Sequence, residues 1–166
     1  MSNQNEQKDT TAFHTLTPDR VIHLVEQSLG TVCTNLFRTL NSYINRVYEL
    51  ELEDGGGLVV KFYRPGRWSK EALQDEHGFL LELAAEEVPV IPPLTFSDGG
   101  TLGDSDGVTF AVFPRKSGRS YDEYSIEQWQ ELGRLLGRVH TVGARHAPKD
   151  RITMAPDMST RDQIGY

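Results

Sequence analysis

The 166 residues carry a net charge of −7 and 37% hydrophobic side chains, enough apolar material for one packed core, which excludes a wholly disordered chain. The acids are spread along the chain instead of gathered in a tail, so the surface as a whole repels a polyphosphate backbone and nucleic acid is not an expected partner. Cys33 stands alone, ruling out an internal disulfide and a cysteine-rich metal site; the polar start M-S-N-Q-N-E-Q-K-D-T-T and the lack of any run near the ~18 apolar residues of a membrane span lead us to expect a cytoplasmic protein with no membrane partner.

A first helix is predicted from Thr17 as N-cap and Pro18 at the first helical position, through Val21, Ile22, Leu24, Val25 and Leu29, to Gly30 as the stop. The pattern then changes to strands. T-V-C-T-N-L-F-R-T-L is the first, and in V-Y-E-L-E-L-E, Tyr48, Leu50 and Leu52 alternate with Glu49, Glu51 and Glu53, which predicts one buried face and one wet face. D-G-G-G at 54–57 turns the chain into L-V-V-K-F-Y as a hairpin, its glycines read as turn chemistry and not as a phosphate cradle. A helix is expected from about Ser69 to Ala85, ended by V-P-V-I-P-P, then strands near Leu94–Phe96 and Val108–Phe113 separated by turn-rich S-D-G-G-T-L-G-D-S-D-G. A last helix opens at the capping box S-I-E-Q and carries Ile126, Trp129, Leu132, Leu135, Leu136 and Val139 on an apolar face, with Trp129 assigned to the core. The order of helix, three strands, helix, two strands, helix with short connections gives an α+β fold of one mostly antiparallel sheet of about five strands.

Within L-V-V-K-F-Y, Leu58, Val60 and Phe62 share one face and Val59, Lys61 and Tyr63 the other. A cation in such a strand either reaches water or meets an anion. On the following helix, with Leu73 at zero and about 100° per residue, Glu76 falls inside the apolar stripe at about −60°, whereas Glu71, Asp75 and Glu82 fall on the polar face. One acid breaks the helical pattern next to one cation that breaks the strand pattern. Paired at about 4 Å they recover on the order of 4 kcal/mol at an effective dielectric of about 20, so each exception explains the other. A strand lysine held by a helix glutamate is the device by which kinase-type enzymes set an amine against the α- and β-phosphates of ATP. The polar segment L-N-S-Y-I-N-R at 40–46 lies where such an enzyme covers the phosphates. It lacks G-x-G-x-x-G, so donors from Asn41, Ser42 and Asn45 and an ordinary turn stand as equal readings.

The runs L-N-S-Y-I-N-R-V-Y, V-V-K-F-Y-R-P-G-R-W, D-E-H-G-F-L-L-E-L, E-V-P-V-I-P-P, F-A-V-F-P and L-G-R-L-L-G-R-V-H, in this order between Phe13 and His140, resemble the N-terminal part of the bacterial stress response kinases. These belong to the aminoglycoside-phosphotransferase-like branch of the protein-kinase-like fold. The resemblance implies an N-lobe at 13–116 after a loose tail at 1–12, with 117–166 as linker and start of a second lobe. It implies ATP contact at Ser42, an α/β-phosphate role for Lys61, Glu76 as its ion-pair partner, and Val59 and Val47 roofing the adenine. Phe113–Lys116 would be the hinge, the Pro114 carbonyl accepting from the adenine amine and Arg115 or Lys116 supplying the donor that proline lacks. ATP and Mg²⁺ are the implied cofactors, serine and threonine of a protein the implied acceptor, and a monomer the expected state.

The family's H-G-D-x-H-x-x-N segment and later D-x-D-like run do not occur in these residues. Arg161-Asp162 is a chance imitation, and Asp150 and Asp157 are read as loop acids. The expectation is an N-lobe without base or metal ligands in the given sequence, inactive alone. The rivals are part of a small-molecule kinase for an alcohol or aminoglycoside, and a non-catalytic nucleotide-binding or interaction module exposing the face of its last helix. His77 and His140 have no second ligand at metal spacing and are read as core or surface histidines. Arg64, Arg67 and Lys70, and likewise Arg115, Lys116 and Arg119, are candidate basic contacts for nucleotide or substrate, with a solvated patch as the alternative.

Overall fold

The computed structural model describes Phe13 and residues 15–118 and 122–152. Arg119, Asp157, Arg161 and Asp162 lie outside that set. Helix α1 (Pro18–Leu29) starts where expected: the Thr17 side chain accepts from the Arg20 N–H, and Gly30 closes it in the left-handed region at φ 64°, donating to the Glu26 carbonyl. Five strands follow the chain as β1 (Cys33–Leu40), β2 (Arg46–Leu52), β3 (Gly57–Phe62), β4 (Gly103–Ser105) and β5 (Val108–Pro114), with α2 (Lys70–Ala85) after β3 and α3 (Ile126–Gly143) after β5. Their spatial order is β1-β2-β3-β5-β4 with every neighbouring pair antiparallel.

The fourth strand is displaced from its predicted place. Leu94–Phe96 is not a strand: Pro92 and Pro93 precede it without N–H groups, and the segment ties to β5 through one bond, Leu94 N–H to the Val112 carbonyl at 2.8 Å. Phe96 then turns back to the Gly100 carbonyl. β4 instead comes from the turn-rich stretch. Asp106 and Gly107, both at positive φ (53° and 81°), make the two-residue turn that pairs Ser105 with Val108.

The alternation in β3 holds and gives the sheet two different faces. Leu58, Val60 and Phe62 join Leu50, Val108, Phe110 and Val112 in one core, which α1 covers with Val21 and Val25. On the other face Tyr63 and Ala111 pack with Leu73 of α2 and Leu102, flanked by Trp68 and Phe113. A third cluster, Leu83, Val88 and Val142 with Phe79 and Val139, joins the end of α2 to α3. α3 opens with the full capping box between Ser125 and Gln128. Its outer apolar residues are exposed, Ile126 at 73% and Trp129 at 57%. Trp129 is therefore not core; it stacks on Tyr124 with ring centroids 5.1 Å apart.

Candidate functional site

The register of β3 fixes what surrounds Lys61. Val47 of β2 lies opposite it on one side and Ala111 of β5 on the other, while Val59 sits between Glu49 and Phe113. This sheet face is only partly filled, since α2 covers the Tyr63 end and leaves Val47, Val59 and Lys61 half-buried.

α2 begins where the Ser69 hydroxyl accepts from the Ala72 N–H at 3.1 Å. Its buried positions are Ala72, Leu73, His77 and Leu83. Leu81, at about 80° from Leu73 on the far side of the arc from Glu76, is 41% exposed. The buried arc is thus turned toward Glu76, which lies between Leu73 and His77 on one side and Phe79 and Leu83 on the other, instead of at its edge. The Lys61 Nζ is 3.6 Å from Glu76 Oε1, with both side chains a little over a quarter exposed. The pair expected from two broken patterns is formed. An ammonium carries three donors, and here one side is met by a carboxylate and another faces the Tyr63 ring at 4.4 Å.

Behind the pair runs a neutral buried network. Tyr63 Oη and His77 Nε2 are 3.0 Å apart, and His77 Nδ1 is 2.7 Å from Thr101 Oγ1. Burial pushes the Tyr63 phenol well above its usual range, with the Glu76 charge adding to the shift and Arg151 opposing it. Burial likewise depresses His77, with Lys61 pushing the same way and Glu76 opposing. At neutral pH both are uncharged, so the imidazole has one donor and one acceptor nitrogen for its two hydroxyl partners. Of the core and surface readings left open for His77, the structure shows the core one.

Three features were not read from the sequence. Glu49, assigned to a wet face, is only 4% exposed; the Arg38 and Arg115 guanidinium groups both pair with it and hold its carboxyl below the usual carboxylate range. Asp75, assigned to an idle polar face, accepts the backbone N–H groups of Lys149 and Asp150 at 2.9 and 2.8 Å. Arg151 reaches Glu76 Oε2 at 3.0 Å. Only cross-strand charge spacing could have signalled the first, since Arg38 and Glu49 are register partners. The other two join α2 to an aperiodic stretch more than seventy residues away.

At the other end of the face, the Arg115 N–H donates to the Gly57 carbonyl at 2.8 Å. That removes Arg115 as the backbone donor of a hinge, and its side chain lies across Gly57 toward Glu49. The Val112 carbonyl points away from β3 to Leu94; by ladder parity Pro114 turns its carbonyl off the same edge. Lys116 is exposed beyond it, and no hydrogen bond engages its N–H among the described residues. Ser42 is half-buried in the β1–β2 connection beside fully exposed Tyr43, and Asn45 Oδ1 accepts the Arg64 N–H. Among the described residues no three His, Cys, Asp or Glu side chains converge to hold a metal.

The sequence profile of the phosphotransferase enzyme family matches residues 37–164. The chain belongs to this phosphotransferase family. Among its relatives in the family, the serine/threonine protein kinase RdoA of Salmonella typhimurium is 40% identical over 153 residues, 92% of this chain and 44% of that protein. Stress response kinase A of Escherichia coli K12 is 43% identical over 133 residues, 80% of this chain and 40% of that one. The chain therefore spans less than half the length of these relatives. A solved amicoumacin kinase in complex with AMP-PNP and Ca²⁺ superimposes with a TM-score of 0.69 at 20% identity, covering 86% of this chain and 44% of that one. The described residues thus have the fold of a kinase-like N-lobe, an antiparallel sheet with α2 on its site face and α1 on its back.

Proposed function

We propose that this chain is the nucleotide-binding lobe of an ATP-dependent serine/threonine protein kinase of the stress-response type, acting in the cytoplasm, with residues 13–116 as the lobe and 117–166 as linker and entry to a second lobe. The observation that carries the reading is the Lys61–Glu76 pair at 3.6 Å, set on a half-open sheet face between the 41–45 connection and the 113–116 segment. Lys61 would bind the α- and β-phosphates, Glu76 would hold its ammonium in place, and Ser42 would contact the phosphates from the β1–β2 connection. Val47 and Val59 would roof the adenine. Phe113 and Arg115 would line its edge, with the Pro114 carbonyl accepting from the adenine amine and the Lys116 N–H donating. The charge and orientation of these groups serve to position the phosphates; transfer also needs a base that accepts the hydroxyl proton. The H-G-D-x-H-x-x-N segment that supplies the family's base does not occur in the sequence and no metal cage is found among the described residues, so we propose that these residues bind nucleotide without transferring phosphate alone. Mg²⁺ would be expected to accompany ATP, held by no cluster in the described part.

The test is thermal stabilisation by Mg-ATP. Stabilisation in the wild type that is lost in Lys61→Ala and Glu76→Ala but kept in Glu71→Ala is the expected result. Glu71 serves as the control because it is exposed on the first turn of α2, whereas Asp75 carries the ties to Lys149 and Asp150. Equal stabilisation of the wild type and Lys61→Ala would overturn the phosphate role of Lys61.

A further inference from the structure

Glu76 is held from two sides. One carboxylate oxygen faces Lys61; the other takes Arg151 Nη1 at 3.0 Å. Arg151 is itself fixed: its guanidinium carbon lies 4.2 Å from the centroid of the Trp68 ring, which packs on the Tyr63–Leu73 cluster. The two backbone N–H groups just before it, of Lys149 and Asp150, both donate to Asp75, the neighbour of Glu76. Farther along, His146 meets Glu82 at 3.4 Å, Arg145 meets Glu86 at 2.6 Å, and Arg138 donates to the Glu86 carbonyl. The segment after α3 is therefore laced along one side of α2 and ends on the glutamate that faces the strand lysine.

We infer that Arg151 is a positioning residue: by pinning Glu76 Oε2 it aims Oε1 at Lys61, so the segment following α3 sets the lysine–glutamate pair. A free glutamate side chain has rotamer freedom that must be lost when it is fixed. Lys61 at 3.6 Å is a loose partner for that task. Arg151 is a tighter one, because a planar guanidinium stacked on an indole presents its N–H groups in a fixed direction, whereas an ammonium on a flexible stem does not. Both carboxylate oxygens then have a cationic partner, the arrangement that charge-assisted hydrogen bonding favours. The functional weight of this contact rests on the proposed nucleotide role of Lys61; the contact with Lys61 itself is measured without nucleotide.

The first readout is the side-chain Cε and Nζ NMR signal of Lys61 in lysine-labelled protein, identified by its loss in Lys61→Ala. Without nucleotide, Arg151→Ala is expected to displace this signal in the same direction as Glu76→Gln. Arg151→Lys, which keeps the charge and the fold but not the planar fork, should give a smaller displacement, and Glu71→Ala none. The second readout is Mg-ATP affinity by calorimetry, expected to fall on the order of three- to tenfold in Arg151→Ala. An unmoved Lys61 signal in both Arg151 variants, or, where the wild type binds Mg-ATP, an affinity in Arg151→Ala that is unchanged or tighter, overturns the positioning role. A Lys61 signal displaced in Arg151→Ala, together with a wild type that binds no Mg-ATP, supports the positioning and overturns the nucleotide reading alone.

Discussion

Glu49 and His77 are two buried titratable residues near the Lys61 face, and they respond to acid in different ways. Glu49 is depressed first by the Arg38 hydrogen bond and then by Arg115. Its stabilisation is fully present above the unfolded glutamate value of about 4.3 and is lost as pH falls through the lower folded value. Melting temperatures should therefore show wild type above Glu49→Gln from pH 6 to 8, with the gap closing below about pH 4. His77 is depressed by burial, so the unfolded chain takes up a proton near pH 6.5 while the folded one does not. Stability falls from there downward by at most about 1.4 kcal/mol per pH unit. A pH series from 7.5 to 5.5 should show this slope in the wild type and not in His77→Gln. Neither behaviour was fully legible in the sequence. The alternation Tyr48-Glu49-Leu50 reads as a strand with a wet face, and nothing in a list of residue types says that two arginines will close over the second residue. Lys61 and Glu76 were legible because each violates the periodicity of its own element.

At the scale of elements, the helices announced themselves through their ends: Thr17-Pro18 with Gly30, and Ser125 with Gln128, are caps whose chemistry is local. The fourth strand did not. Its signal was the D-G pair at 106–107, submerged in a run of turn residues, so the strand was assigned to Leu94–Phe96 instead. β4 depends on close approach, since a Cβ on Gly103 would overlap the Phe110 ring, which is 1% exposed and cannot swing away. Gly103→Ala should cost about 1–3 kcal/mol by urea unfolding, as overpacking does. Gly99→Ala, at a positive φ of 85° with open space around it, should cost through backbone strain instead. The rotation of α2 that centres Glu76 in the buried arc was only half visible, because the residues that turn it, Val142 and the 145–151 segment, are remote in sequence.

For the molecule as a whole, the sheet is closed on its back by α1 and half open on its site face, with α3 attached at one end through Val142. The outer face of α3 contributes nothing to that packing among the described residues, so Trp129→Ser should change stability by less than about 0.5 kcal/mol in urea unfolding, whereas Leu73→Ala should cost about 2–5 kcal/mol. The covering of the back has a consequence for the order of synthesis. Val21 and Val25 leave the ribosome well before the strand residues they cover, and Val108 and Val112 follow roughly ninety residues later. At about 5–20 residues per second, the core that α1 covers stays incomplete for on the order of ten seconds, until β5 is made. The nascent chain thus carries an incompletely covered apolar stripe until its last core strand is made, and a chaperone that binds such stripes would find its best opportunity there, before β5 has been added.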